Sequence, residues 1–117
     1  MKVQVRLWLY ENGKAFGDGP YSLLKNVEET GSLRKGAKKM GMSYKKAWTI
    51  IKNCESRLGV KLLQKKKGGK KGGGSSLTET GKVFLRNYEE FKREVKNFAE
   101  KAFDHYFGRS FSETKKD

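Results

Sequence analysis

The chain has 117 residues, and its 27 Lys and Arg against 13 Asp and Glu give a formal charge of +14. That length buries one core and excludes a large enzyme with a separate substrate domain. The charge calls for a polyanion: nucleic acid first, and an anionic membrane surface second, which would need an amphipathic helix with a basic polar face. Cys54 is the one cysteine and His105 the one histidine. They exclude an internal disulfide, a Cys-rich zinc site and a catalytic triad, and the lone thiol fits a reducing cytoplasm. The N-terminus alternates apolar and polar residues, unlike the apolar core of a signal peptide, and no stretch approaches the roughly 20 apolar residues that span a bilayer. The expectation is a soluble cytoplasmic protein, not an enzyme, with no cofactor and no membrane partner.

Val3, Val5, Leu7 and Leu9 alternate with Gln4, Arg6, Trp8 and Tyr10, which predicts a first strand with one buried face. Asn12-Gly13 supplies a turn, after which Lys14 to Phe16 can fold back. Pro20 then suits the first turn of a helix carrying Leu23, Leu24 and Val27 on one side and closed by Gly31. Ser32 caps a short second helix, Leu33 to Met40. After Gly41-Met42, Ser43 caps a third, whose Ala47, Ile50, Ile51, Cys54 and Leu58 form one apolar stripe ending at Gly59. Two short helices joined by a tight glycine-containing turn make a helix-turn-helix.

Val60 to Lys67 reads as a strand with Leu62 and Leu63 inward, and Ser75 to Leu77 as its return. The tip between them, Gly68-Gly69-Lys70-Lys71-Gly72-Gly73-Gly74, has no apolar reason to pack. From Thr78 to about Phe107 runs a long helix in which Phe84, Tyr88, Phe91, Val95, Phe98 and Ala102 keep heptad spacing, the seam of a helix that meets another helix. The simplest such partner is a second copy. The chain therefore divides into 1–78, a winged helix-turn-helix; 79–107, a dimerisation helix; and 108–117, a flexible tail. Its fold class is mainly α with a small β component.

The charge is not spread evenly. Residues 32–71 hold fourteen bases and one acid, Glu55, whereas residues 1–31 and 79–107 are each balanced. On the third helix, Tyr44, Lys45, Trp48, Thr49 and Lys52 fall off the apolar stripe on one face, as side chains entering a major groove must. Lysines there suit phosphates or guanine edges, and Thr49 a base or a thymine methyl. Trp48 suits equally a wedge against a neighbouring helix. Ser43, like Ser32, serves as a cap first and as a phosphate contact second. Arg34 extends the basic face, and Lys65, Lys66, Lys67, Lys70 and Lys71 suit phosphate or minor-groove contacts. The glycine-rich tip is no nucleotide loop, because no Gly-Lys-Ser/Thr occurs. Cys54 and His105 read as structural. The candidate partners are double-stranded DNA and a second copy of the chain.

Four stretches together resemble a known family: Tyr21 to Lys25, Gly31 to Lys38, Ser43 to Trp48, and Gly68 to Thr78. The chain is similar over residues 3–107 to the N-terminal DNA-binding domain of the molybdate-responsive ModE regulators, within the wider LysR-type winged-helix group. The Ser-Tyr-Lys-x-Ala-Trp run and the glycine-rich wing are the pieces specific to that family. Leu58 to Leu62 and Leu77 to Gly81 are shared by LysR-type domains in general. Full-length members continue into domains that bind molybdate, whereas this sequence stops at Asp117. The resemblance thus implies DNA binding and dimerisation and does not extend to oxyanion sensing; no small-molecule effector is evident in this chain. Two rivals are an architectural, sequence-tolerant chromatin protein and a module that binds RNA or another protein.

Overall fold

The computed structural model describes residues 1–66 and 74–108. Lys67, the glycine-rich tip with Lys70 and Lys71, and the expected tail from residue 109 lie outside the described residues. The chain forms two compact units, Leu7–Arg86 and a second that groups Met1–Arg6 with the chain from Asn87 on.

The first unit runs β1 (Trp8–Tyr10), β2 (Lys14–Gly17), α1 (Asp18–Thr30), α2 (Leu33–Lys39), α3 (Tyr44–Leu58), β3 (Leu63–Lys65), β4 (Ser75–Leu77) and the opening turns of α4 (Glu79–Phe107). β1 and β2 pair antiparallel, Leu9 opposite Phe16, around a turn in which Asn12 and Gly13 take φ of 56° and 125°. The strand expected from Val3 starts only at Trp8. Its partner gives the reason: Trp8 pairs with Gly17, and α1 begins at the next residue, so nothing of β2 remains for the residues before Trp8. The alternation survives as burial, with Val3, Val5, Leu7 and Leu9 half-buried and the residues between them exposed.

Pro20 lies in the first turn of α1, as expected, where its missing N–H costs no helical bond. Phe16, Leu23, Leu24, Val27, Ile51 and Leu62 are the largest fully buried side chains, drawn from β2, α1, α3 and the chain before β3. α2 stops at Lys39, one residue short of its expected end, because the Met40 N–H turns back to the Ala37 carbonyl. β3 is shorter than the strand expected over residues 60–67, and its inward pair is split. Leu62 is fully buried and Leu63 only half-buried, since successive residues of an extended chain face opposite ways.

Thr78 joins this hairpin to α4. Its hydroxyl accepts the Gly81 N–H at 2.9 Å and donates to the Lys61 carbonyl at 2.6 Å, capping the helix and tying it to the strand region at once. Leu85, which the heptad reading omitted, is buried, and Phe84 packs edge-on against Phe16 at 4.8 Å between ring centroids. The approach is so close at Gly81 that a Cβ there would stand 2.4 Å from the Leu62 carbonyl oxygen. Gly81→Ala is therefore expected to destabilise the fold by about 1–3 kcal/mol, the usual cost of overpacking, measured as a lower midpoint in thermal or urea unfolding.

In the second unit, α4 changes character along its length. Tyr88 is buried within the single chain, Val95 and Ala102 are half-buried, and Phe91 and Phe98 are 44% and 75% exposed. A groove along this stretch is lined by Phe91, Glu94, Val95, Asn97, Phe98 and Lys101. No helix among the described residues is long and apolar enough to cross a membrane.

Candidate nucleic-acid interface

Helix α3 is amphipathic in the strict sense that its two faces do different work. Ala47, Ile51 and Cys54 are buried in the core, while Tyr44, Lys45, Trp48 and Thr49 stand exposed. Caps fix where both helices of the motif start. The Ser32 hydroxyl accepts the Lys35 N–H and the Ser43 hydroxyl the Lys46 N–H, each at 3.1 Å, so both serines are engaged as the sequence predicts. The Arg34 guanidinium lies 4.5 Å from the centre of the Tyr44 ring, joining the first turn of α2 to the first turn of α3.

The candidate residues do not all behave alike. Lys45 and Thr49 are both exposed, and the Thr49 hydroxyl donates to the Lys45 carbonyl at 3.0 Å. Lys52 is half-buried and turned back, its Nζ 3.2 Å from the Glu55 carboxylate and 5.6 Å from the centre of the Trp48 ring. Trp48 is 47% exposed and also lines a cleft with Leu33, Tyr44, Ile51, Lys52, Leu63, Gln64, Lys65 and Ser75. It stands on the α3 wall of this cleft, which the β3–β4 hairpin closes on the other side. Lys65 and Lys66 are exposed at the end of β3. Lys35, Lys38 and Lys46, which the sequence reading did not single out as contacts, are exposed as well, whereas Lys39 is paired with Glu29 at 3.0 Å. Among the described residues no three His, Cys, Asp or Glu side chains gather as a metal ion would need.

Glu55 is the residue that sequence reasoning missed. It is the one acid among the bases of residues 32–71, and it is 7% exposed. One carboxylate oxygen accepts the N–H groups of Leu62 and Leu63 at 2.7 and 3.1 Å, and the other pairs with Lys52. Burial by itself raises a carboxyl pKa, but the two backbone donors and Lys52 together outweigh it and hold Glu55 below its ordinary value near 4.5. The neighbouring Cys54 thiol is pushed the other way, to about 11, by burial and by the Glu55 charge, so it stays protonated and packs as a small hydrophobe. A depressed carboxyl pKa stabilises the fold at pH above the ordinary Glu value, and the contribution is lost as pH falls through the folded value. Unfolding midpoints measured from pH 6 down to pH 3 should therefore drop, and Glu55→Gln should flatten part of that drop while lowering the midpoint at pH 6.

A capped helix-turn-helix, a two-stranded hairpin and a long following helix define a winged helix-turn-helix regulatory domain. Residues 21–82 match the family of bacterial regulatory helix-turn-helix proteins, lysR family, and the chain belongs to that family. It is 34% identical over 105 residues to the transcriptional regulator ModE of Yersinia pestis and 35% identical over 105 residues to the DNA-binding transcriptional dual regulator ModE of Escherichia coli K12. Each match takes in 89% of this chain and 38% of the relative, so the chain spans well under half the length of those regulators. In fold it is similar to the CbnR DNA-binding domain solved in complex with DNA, with a TM-score of 0.55 and 21% identity over 72% of this chain and 91% of that one. It is also similar to ArgP from Mycobacterium tuberculosis, with a TM-score of 0.52 and 24% identity over 73% of this chain and 31% of that one.

Proposed function

We propose that this chain is a sequence-specific transcriptional regulator that binds duplex DNA as a homodimer. In this reading α3 enters the major groove with Tyr44, Lys45, Trp48 and Thr49 toward the bases. Arg34, Lys65, Lys66, Lys67, Lys70 and Lys71 engage the flanking backbone or minor groove. Ser32 and Ser43 place the helix N-termini, with their unpaired N–H groups, near phosphates. Lys52 acts from within, buttressing Trp48. The observation that carries the reading is the exposed face of α2 and α3. It displays bases and aromatic rings, and the one carboxylate between Ser32 and Lys66 is buried beneath it.

Phosphate contacts made by lysine release counterions, so affinity depends steeply on salt. With about six such contacts, binding to a duplex should weaken by about 10³-fold between 50 and 200 mM salt in fluorescence anisotropy. A flat response would overturn the electrostatic part of the proposal. Selection of bound sites from a random duplex pool tests the specific part. An enriched inverted repeat supports a dimeric reader of bases, whereas retention of all sequences alike supports the architectural alternative.

For the dimer, support comes from α4. Phe84 and Tyr88 are already taken up within one chain, so the seam free for a partner consists of Phe91, Val95, Phe98 and Ala102. Each Phe buried contributes about 1.5–3 kcal/mol, and a two-fold axis counts each residue twice. Sedimentation at micromolar concentration should give a dimer. The Phe91→Asp/Phe98→Asp protein should sediment as a monomer and bind an inverted-repeat duplex at least tenfold more weakly, with an unchanged far-ultraviolet circular dichroism spectrum. A monomer from the unmutated chain would overturn the dimer.

A further inference from the structure

The β3–β4 hairpin has only three residues in each strand, and a two-stranded hairpin is marginal in water by itself. Its orientation must come from anchors outside it. On the β4 side the Ser75 N–H donates to the Gly31 carbonyl at 2.9 Å, at the junction of α1 and α2. On the β3 side Thr78 holds the Lys61 and Leu62 carbonyls from the start of α4, and the hydrogen bonds to α3 converge on one residue. The Glu55 carbonyl receives the N–H groups of Gly59 and Val60, which closes the helix, and the Glu55 carboxylate receives those of Leu62 and Leu63, which starts the strand. Lys65 and Lys66 follow within four residues.

We propose that Glu55 is a positioning residue for DNA binding: it holds the β3–β4 hairpin at a fixed place on α3, so that the hairpin lysines and the face of α3 reach one duplex in a single register. The inference rests on the reading of that hairpin as a DNA-binding wing. Two features favour a carboxylate for the task. Charged acceptors form stronger hydrogen bonds than neutral ones, and a single carboxylate oxygen can accept two adjacent N–H groups while the other oxygen pairs with Lys52. Through Lys52, which also lies over Trp48, the same carboxylate braces an aromatic side chain on the wall of the cleft between α3 and the hairpin. A hairpin ordered before binding loses less conformational entropy on contact, which is where its lysines gain affinity.

The test is a double-mutant cycle read by duplex-binding anisotropy across a salt series, using a duplex that the unmutated protein binds, at a temperature where every variant is folded by circular dichroism. Lys65→Ala/Lys66→Ala should make the slope of log affinity against log salt shallower by about 2, the loss of two phosphate contacts. Glu55→Gln should weaken binding about tenfold and flatten the slope by a similar amount. Added to the lysine variant, it should cost less than about twofold more. Equal losses in both backgrounds would overturn the role of Glu55, because a general loss of stability does not depend on the hairpin lysines. An unchanged slope in Lys65→Ala/Lys66→Ala would overturn the wing reading and the inference with it. A measurement on the unmutated protein removes any dependence on how the variant folds. The Leu62 and Leu63 amide protons should exchange slowly with solvent at pH 6, and fast exchange at both would overturn the clamp.

Discussion

Everything this molecule presents to a polyanion depends on α3 being gripped by its inner face. Ala47, Ile51 and Cys54 are sealed in the core with Leu23, Leu24 and Val27 of α1, and that packing alone fixes which side chains of α3 are left outside. The hydrophobic contribution of those residues, on the order of 1.5–3 kcal/mol for each large one, is what allows so many lysines to be crowded into neighbouring positions. The positive charges repel one another, and water and counterions screen that repulsion only because the lysines are held at the surface.

Around this grip the polar groups act as fasteners between elements. Ser32 and Ser43 set the starts of α2 and α3, Arg34 and Tyr44 tie those starts together, and Thr78 joins the strand region to α4. Glu55 is the most demanding of them. A carboxylate so deeply buried is costly to desolvate, and it persists because both oxygens are occupied by donors. Its cost and its function have the same origin. The residue must be rigidly satisfied, and whatever satisfies it becomes rigid too.

The two units use apolar surface in opposite ways. In Leu7–Arg86, rings such as Phe16 and side chains such as Leu62 are consumed in the core, whereas α4 beyond Tyr88 keeps Phe91 and Phe98 outward. In the proposed dimer, the solvent-facing Phe91 and Phe98 at heptad spacing, flanked by Glu94 and Lys101, are the surface that a second copy would cover.

Much of this was legible in the sequence because it follows from local chemistry. Serine caps and glycine stops are written within a few neighbouring residues and reappear in the structure at or within a residue of their expected place, and of the apolar stripe of α3 Ala47, Ile51 and Cys54 are buried while Ile50 and Leu58 are half-buried. What the sequence left open required knowing which segments meet. The N-terminal alternation gave a half-buried face without telling that β2 ends too soon to pair with it. Trp48 was equally open to packing and to contact in the sequence, and the structure adds that it stands 47% exposed in a cleft beside the hairpin; the heptad count hid Leu85 because a packed helix buries whichever face meets the core. Glu55 read as one stray acid among bases. Only the folding of residues 59–63 back along α3 brings two N–H groups to its carboxylate, and no period or motif in a linear sequence encodes that return.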